Sequence, residues 1–188
     1  MRIERLRANY QIDVRFVHFP LHPDTPDEGM TLAELFAGRN IDIPAAKDRM
    51  VQLMATEGLP YGDRTMTYNS RLAQEMAKWA ETQQSEGSIH EAFFQAYFVD
   101  GVNLAKIDKL VSIAVRLGLS ANEARDVLTT RRFREAVDAD WQRSRQLGVT
   151  GVPTFIIGEG GLVGAQPYES LKQLVLDAGV ETRSTMTS

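Results

Sequence analysis

Cysteine is absent from this 188-residue chain. That absence excludes disulfides, thiolate metal sites and any thiol chemistry by the chain acting alone. Long apolar runs are missing too: none approaches the roughly 20 residues that a membrane-spanning helix needs. The first residues, Met1-Arg2-Ile3-Glu4-Arg5-Leu6-Arg7, are charged and amphipathic. They hold no apolar signal core and no small-residue cleavage site, so the sequence reads as cytoplasmic rather than exported. Excess positive charge is lacking, because the net charge is −4. Nothing in that balance points to nucleic acid or to an anionic membrane surface. Internal repeats and low-complexity tracts are absent as well.

What is present is the composition of a globular protein, 43% hydrophobic and 24% charged. The length suits one domain, or one domain with an insertion. Ile3, Leu6 and Tyr10 recur at helical spacing, which predicts a short helix over about residues 2–10, already under way at Met1. Ile12-Asp13-Val14-Arg15-Phe16-Val17-His18-Phe19 is β-branched and aromatic and reads as a strand ended by Pro20. Pro20 to Gly29 is proline-rich loop. From Thr31 to Leu147 the pattern is helical and punctuated by caps. Thr31-x-x-Glu34, Ser88-x-x-Glu91 and Ser120-x-x-Glu123 have the form of capping boxes. Pro44 opens a helix with Ala46, Met50, Leu53 and Met54 on one face, closed by Gly58. Asn69 caps another with Leu72, Ala73, Met76 and Ala80 inward. The helix after Ser88 carries Phe93, Phe94, Tyr97 and Phe98, a broad packing face. Further helices read at about 103–117, 120–128 and 131–147, with Arg131 and Arg132 solvated.

The pattern changes at Gly148-Val149-Thr150-Gly151-Val152-Pro153-Thr154-Phe155-Ile156-Ile157. Proline has no N–H for a ladder and is confined to a strand's first residue, an edge or a bulge. Thr154–Ile157 reads as a strand, Glu159-Gly160-Gly161 as a tight turn and Leu162-Val163 as the returning strand of a hairpin. Pro167 opens a last helix with Leu171, Leu174, Val175 and Ala178 inward, ended by Gly179. Residues 180–188 read as a flexible tail. Strands at both ends of a helical block predict an α/β sheet with a helical insertion. Gly164-Ala165-Gln166 would offer free N–H groups at a helix start, suited to a carboxylate. His18, His22 and His90 have poor spacing for a metal, and no metal site is expected. His18, at a strand's end, is a candidate acid or base.

Several stretches carry a more specific resemblance. They are Phe16-Val17-His18-Phe19-Pro20-Leu21-His22-Pro23-Asp24-Thr25-Pro26, Asn69-Ser70-Arg71-Leu72-Ala73 and Glu91-Ala92-Phe93-Phe94-Gln95-Ala96-Tyr97-Phe98. Most specific is Leu147-Gly148-Val149-Thr150-Gly151-Val152-Pro153-Thr154-Phe155, followed by Leu162-Val163-Gly164-Ala165-Gln166-Pro167. In this order and over nearly the whole chain they resemble the DsbA-like thioredoxin family. The likeness is to its cytoplasmic FrnE-type branch, near the 2-hydroxychromene-2-carboxylate isomerases.

The resemblance implies an α/β, thioredoxin-like fold with a large helical insertion and its first strand missing. Residues 1–30 and 148–179 would form the incomplete thioredoxin-like subdomain, and 31–147 the insertion. It implies a cis bond between Val152 and Pro153, turning the Val152 backbone outward to pair with an extended peptide or glutathione. Thr150, Gly151, Val152, Pro153, His18, Ala165 and Gln166 are then the substrate-binding residues. In the family a first strand leads to Cys-x-x-Cys, or a serine variant, at a helix N-terminus, whose dipole stabilises the attacking thiolate. Met1 already lies within what resembles that helix, so no catalytic residue carries over. The implied activity is thiol–disulfide oxidoreduction or protein-disulfide isomerisation, for which this chain lacks the cysteines. The alternatives are a non-catalytic peptide- or thiol-binding relative and a glutathione-dependent isomerase. Partners would be a thiol- or disulfide-containing substrate or peptide, with glutathione the one small molecule admitted. The resemblance implies that the natural protein carries a further N-terminal strand ending in Cys-x-x-Cys or Ser-x-x-Cys; failing that, the strand-forming runs at Ile12–Phe19 and Thr154–Ile157 would pair directly or through a homodimer.

Overall fold

A computed structural model describes residues 2–183. In chain order its elements are α1 (Arg2–Asn9), β1 (Met30–Thr31), α2 (Leu32–Leu35), α3 (Ile43–Thr56), β2 (Met66–Thr67) and α4 (Arg71–Ala80). They continue with α5 (Ile89–Phe94), a π-helical turn (Gln95–Val99), α6 (Ile107–Arg116), α7 (Ala121–Thr130) and α8 (Arg134–Gln146). The hairpin β3 (Thr154–Ile157) and β4 (Gly160–Val163) and the helix α9 (Tyr168–Asp177) complete the order. The expected helical start at Met1 and the tail from Ser184 onward lie outside the described residues. No helix among the described residues is long and apolar enough to cross a membrane.

The chain divides into two units, one up to Leu21 and again from Asp140, the other His22–Ala139. These boundaries differ from those read in the sequence, for local reasons. The loop after Leu21 is bonded within the second unit: Asn69 Nδ2 donates to Pro23 O (3.1 Å) and Thr25 O (2.8 Å), and Asn103 Nδ2 to Asp27 O (2.9 Å). Within the first unit, Asp140 and Ser144 of α8 bond to His18.

In the first unit, Leu6, Tyr10, Leu171 and Val175 form a core against which Ile3, Ile12, Phe155, Leu162, Tyr168 and Val180 pack. The hairpin pairs Thr154 with Val163, Phe155 with Leu162 and Ile157 with Gly160, antiparallel. Opposed residues share a face, so Phe155 and Leu162 turn to the core while Ile156 and Val163 stay exposed. Gly158 takes φ +57 at the first central position of the two-residue turn, a conformation that glycine adopts without steric cost. The returning strand thus begins at Gly160, earlier than its apolar residues alone suggested.

Two expectations fail in this unit. Ile12–Phe19 forms no strand. A strand exists only as a ladder, and its propensity reflects neighbours more than backbone preference. No partner strand lies beside this run among the described residues, and direct pairing with Thr154–Ile157 does not occur. Residues 180–183 are not frayed either. Tyr10 and Thr182 form a bridge, Gln11 N–H donates to Glu181 O (3.0 Å) and Arg183 N–H to Asn9 O (2.8 Å).

The second unit is built on α4, α6 and α7. Ala73, Met76, Ala77 and Ala80 lie inward with Leu110, Ile113, Ala114, Val127 and Leu128. Each large side chain buried here contributes about 1.5–3 kcal/mol. Thr31 and Glu34 complete a reciprocal capping box, while Ser88 and Ser120 accept from the Glu91 and Glu123 N–H groups. Asn69 Oδ1 accepts from Arg71 N–H at the start of α4 (2.9 Å). Helix α3 departs from expectation: it has no fully buried residue, and Met50 and Leu53 are exposed. The unforeseen pair β1–β2 is antiparallel and joins Met30 to Thr67.

Arg131 is not merely solvated. It occupies the left-handed region (φ 56) at the end of α7. Its Nε and Nη2 donate to Glu75 Oε2 and Oε1, each at 2.7 Å. Arg71 Nε donates to the same carboxylate at 2.7 Å, and Glu75 is fully buried.

The aromatic helix was expected to continue regularly to Phe98 but widens into the π turn. Gly62 N–H donates to Phe98 O at 2.8 Å, and a Cβ at Gly62 would lie 2.2 Å from Val99 O. Backbone cannot retreat as a side-chain tip can. Gly62→Ala should therefore cost about 1–3 kcal/mol in urea unfolding, and an unchanged midpoint would contradict that packing.

Candidate functional site

Helix α8 ends where Gly148 turns left-handed (φ +67), and Val149 N–H closes back onto Ser144 O (3.0 Å). Such a glycine stop lets the chain reverse without a Cβ clash. The loop Thr150–Pro153 follows. Thr154 Oγ1 donates to Gly151 O at 2.6 Å and cinches the loop, and the Val152–Pro153 bond is cis. Pro153 cannot donate to a ladder, but its carbonyl accepts Gly164 N–H at 2.7 Å. This bond extends the hairpin past the Thr154–Val163 pair and sets Gly164-Ala165-Gln166 beside the loop.

Of the three N–H groups expected to be free there, Gly164's is taken. Those of Ala165 and Gln166 bond to no described residue. The Gln166 side chain folds back, its Nε2 donating to Val163 O (2.6 Å), while the Gln166 backbone carbonyl accepts from Arg2 Nη1 (2.6 Å). Val152 is 47% exposed, and neither its N–H nor its C=O bonds to a described residue.

The structure thus brings Thr150, Gly151, Val152, Pro153, Ala165 and Gln166 to one end of the hairpin. His18 is positioned differently, through α8 rather than as a strand's end. Its N–H donates to Asp140 Oδ2 (3.0 Å) and its C=O accepts from Ser144 Oγ (3.1 Å). Asp140 and Ser144 are both 3% exposed. Sequence reasoning missed this pair. The available signal was their i, i+4 spacing, which in so polar a helix looks like a solvated face.

The remaining histidines belong to the second unit. His90 Nε2 lies 3.3 Å from Glu81 Oε1. Burial, with the positive charges of Arg39 and Arg64, holds the His22 imidazole below its ordinary range. No group of three or more His, Cys, Asp or Glu among the described residues could hold a metal ion. The hairpin end offers backbone donors, a backbone acceptor and apolar surface for binding. It carries no thiol.

A family model described as "DSBA-like thioredoxin domain" matches residues 1–175. Among curated proteins, an uncharacterized protein of Bacillus subtilis (strain 168), YwbO, is 29% identical over 85 residues. That stretch is 45% of this chain and spans 42% of the Bacillus protein's length. Among solved structures, a 2-hydroxychromene-2-carboxylate isomerase superposes with a TM-score of 0.69 at 17% identity, covering 95% of this chain and 85% of that one. The cytosolic disulfide reductase DsbM from Pseudomonas aeruginosa, in a structure with GSH, gives a TM-score of 0.53 at 21% identity over 72% of this chain and 75% of its own. At such identities the likeness is one of fold. The family match runs through the hairpin and most of α9, the elements that build the Thr150–Pro153 loop, and the chain belongs to the DsbA-like thioredoxin family.

Proposed function

We propose that this chain binds an extended thiol- or disulfide-containing peptide, or glutathione, at the Thr150–Pro153 loop, and that it supplies no sulfur chemistry itself. The observation that carries the proposal is Val152, exposed beside a hairpin and with neither backbone group bonded to a described residue. An extended ligand would add to it as a strand, with main-chain hydrogen bonds giving affinity. Exposed Ile156 and Val163 give such a ligand an apolar bed. The unbonded N–H groups of Ala165 and Gln166 suit a carboxylate such as glutathione's. FrnE-type oxidoreduction or disulfide isomerisation needs a sulfur pair, whereas binding needs only these groups. The binding reading is therefore the better supported. We place the protein in the cytoplasm, in keeping with the disulfide reductase whose name is cytosolic.

Calorimetric titration with oxidised glutathione, and with an extended peptide carrying a blocked cysteine, tests the reading. Val152→Glu alters an exposed side chain, so the fold should persist by circular dichroism. Its affinity should fall about tenfold, equivalent to about 1.4 kcal/mol. Saturable binding that is unchanged in this variant would refute the loop assignment. Self-association that blocks the titration would instead place a second copy on the same edge.

A further inference from the structure

The second unit contains a guanidinium with no anion among the described residues. Arg71, Arg125, Arg131, Arg132 and Arg134 each face a carboxylate of this unit. Arg64 is half-buried and faces none among the described residues. Its Nη1 donates to Tyr97 Oη at 2.7 Å and makes a long contact to Met66 O at 3.4 Å. Its Cζ lies 5.0 Å from the Tyr97 ring centroid and 5.4 Å from that of Phe98. The Nε is buried without an acceptor, and no described residue bonds to Nη2. Along the Nε–Nη2 edge, one that a carboxylate can take in bidentate fashion, the guanidinium therefore makes no hydrogen bond to a described residue. A buried charge without its counter-charge is costly, and a buried polar atom without a partner calls for a physical cause.

Two further groups of the same unit lie within electrostatic reach. Arg39 also has no carboxylate partner among the described residues, its Cζ standing 5.9 Å over the Phe36 ring. The His22 imidazole feels both arginines and makes no hydrogen bond to a described residue. The neighbouring acid, Asp63, is turned to Lys47. Beside Arg64 the half-buried rings continue: Phe98 is stacked on Tyr61 at 6.1 Å and lies 5.2 Å from Phe94. The π turn carrying Tyr97 and Phe98 is a local widening that recurs at functional sites.

We infer that Arg64, with Arg39 and His22, forms a binding site for the carboxylate of a small organic acid, whose apolar body lies against the Tyr61, Phe94 and Phe98 rings. The carboxylate accepts from the open guanidinium edge, Arg39 adds charge, and the imidazole donates a further hydrogen bond. No residue is shared with the Thr150–Pro153 loop, so the two readings stand or fall separately.

The test uses the full chain with phenylacetate as probe, phenylacetamide as its neutral isostere and inorganic phosphate as an anion without an apolar body. Phenylacetate should bind saturably and shift the His22 and Tyr97 ring resonances, with the amide about tenfold or more weaker. Arg64→Gln should weaken phenylacetate by a similar factor. Arg64→Lys, which keeps the charge but loses the planar fork, should fail to restore it fully. Arg39→Gln changes an exposed residue and should weaken binding about threefold; it keeps the test alive if the Arg64 variants do not fold. Four results would overturn the site: no saturable binding, equal affinity for the amide, phosphate binding as tightly as phenylacetate, or full affinity in Arg39→Gln.

Discussion

Glu75→Ala should cost about 3–5 kcal/mol, because removing one partner of a buried ion network strands the charges left behind. The carboxylate is fully buried and takes hydrogen bonds at 2.7 Å from Arg131 Nε, Arg131 Nη2 and Arg71 Nε. Arg71 reaches onward to Asp138 at 2.7 Å and to Arg134 O at 2.8 Å. One side chain therefore ties α4 to the turn between α7 and α8. The same pairing holds Arg131 in its left-handed conformation, which without it is unfavourable for a residue bearing a Cβ. Glu75→Gln keeps the shape and loses the charge, and should cost less, about 1.5–3 kcal/mol. Against a total stability of about 5–15 kcal/mol, the alanine variant should unfold at a much lower urea concentration.

Acid should expose the same interaction. Burial pushes the Glu75 carboxyl up, but the hydrogen bonds and charges of Arg131 and Arg71 outweigh it and hold the group below its ordinary 4.5. The unfolded chain then takes up the proton first. The stabilisation is complete above about pH 4.5 and is lost as pH falls through the lower folded value. The urea midpoint of Glu75→Gln should accordingly lose less between pH 5 and pH 3 than that of the natural chain. Parallel losses would show that Glu75 is not held as described.

Insulin reduction and scrambled-substrate refolding should both read blank with this chain. Thiol–disulfide exchange begins with thiolate attack on a disulfide sulfur. The chain holds no cysteine, and its sulfur is in seven methionines. A thioether can be oxidised to a sulfoxide but has no S–H to ionise and cannot form a mixed disulfide. Turnover above background, with contaminating thiols removed by alkylation, would contradict this. Adding glutathione should restore only its own solution rate unless the loop positions it, and an excess over that rate would report such positioning.

The hairpin was legible because its signals are local. Glycine and proline punctuate it, a short apolar run fills β3, and a two-residue turn needs little else. The caps at Thr31, Ser88 and Ser120 were legible for the same reason, since each depends on a residue three positions away. Ile12–Phe19 was misread because a β-branched run becomes a strand only beside another. Arg131 was misread because its partner Glu75 is 56 positions away and neither residue looks unusual in its own helix. In α4, Arg71 and Glu75 stand at i, i+4, a spacing common to surface pairs. Burial came from packing that no local pattern encodes. Arg64 gave no signal in its stretch, and its character lies in facing no carboxylate among the described residues. Within the candidate site, Val152 and Pro153 stood out through the loop motif. The engagement of Gly164 N–H by Pro153 O depends on hairpin register, one pair beyond the strand ends.

The Thr150–Pro153 loop is proposed to bind ligand without redox chemistry of its own. Its most direct test is a backbone amide titration of the labelled chain with oxidised glutathione and with the blocked-cysteine peptide, observed by NMR. Saturable shifts are expected at Val152, Ala165 and Gln166, whose N–H groups bond to no described residue, and a small response at Gly164, already bonded to Pro153. Shifts confined to other residues, or none at millimolar ligand, would contradict it.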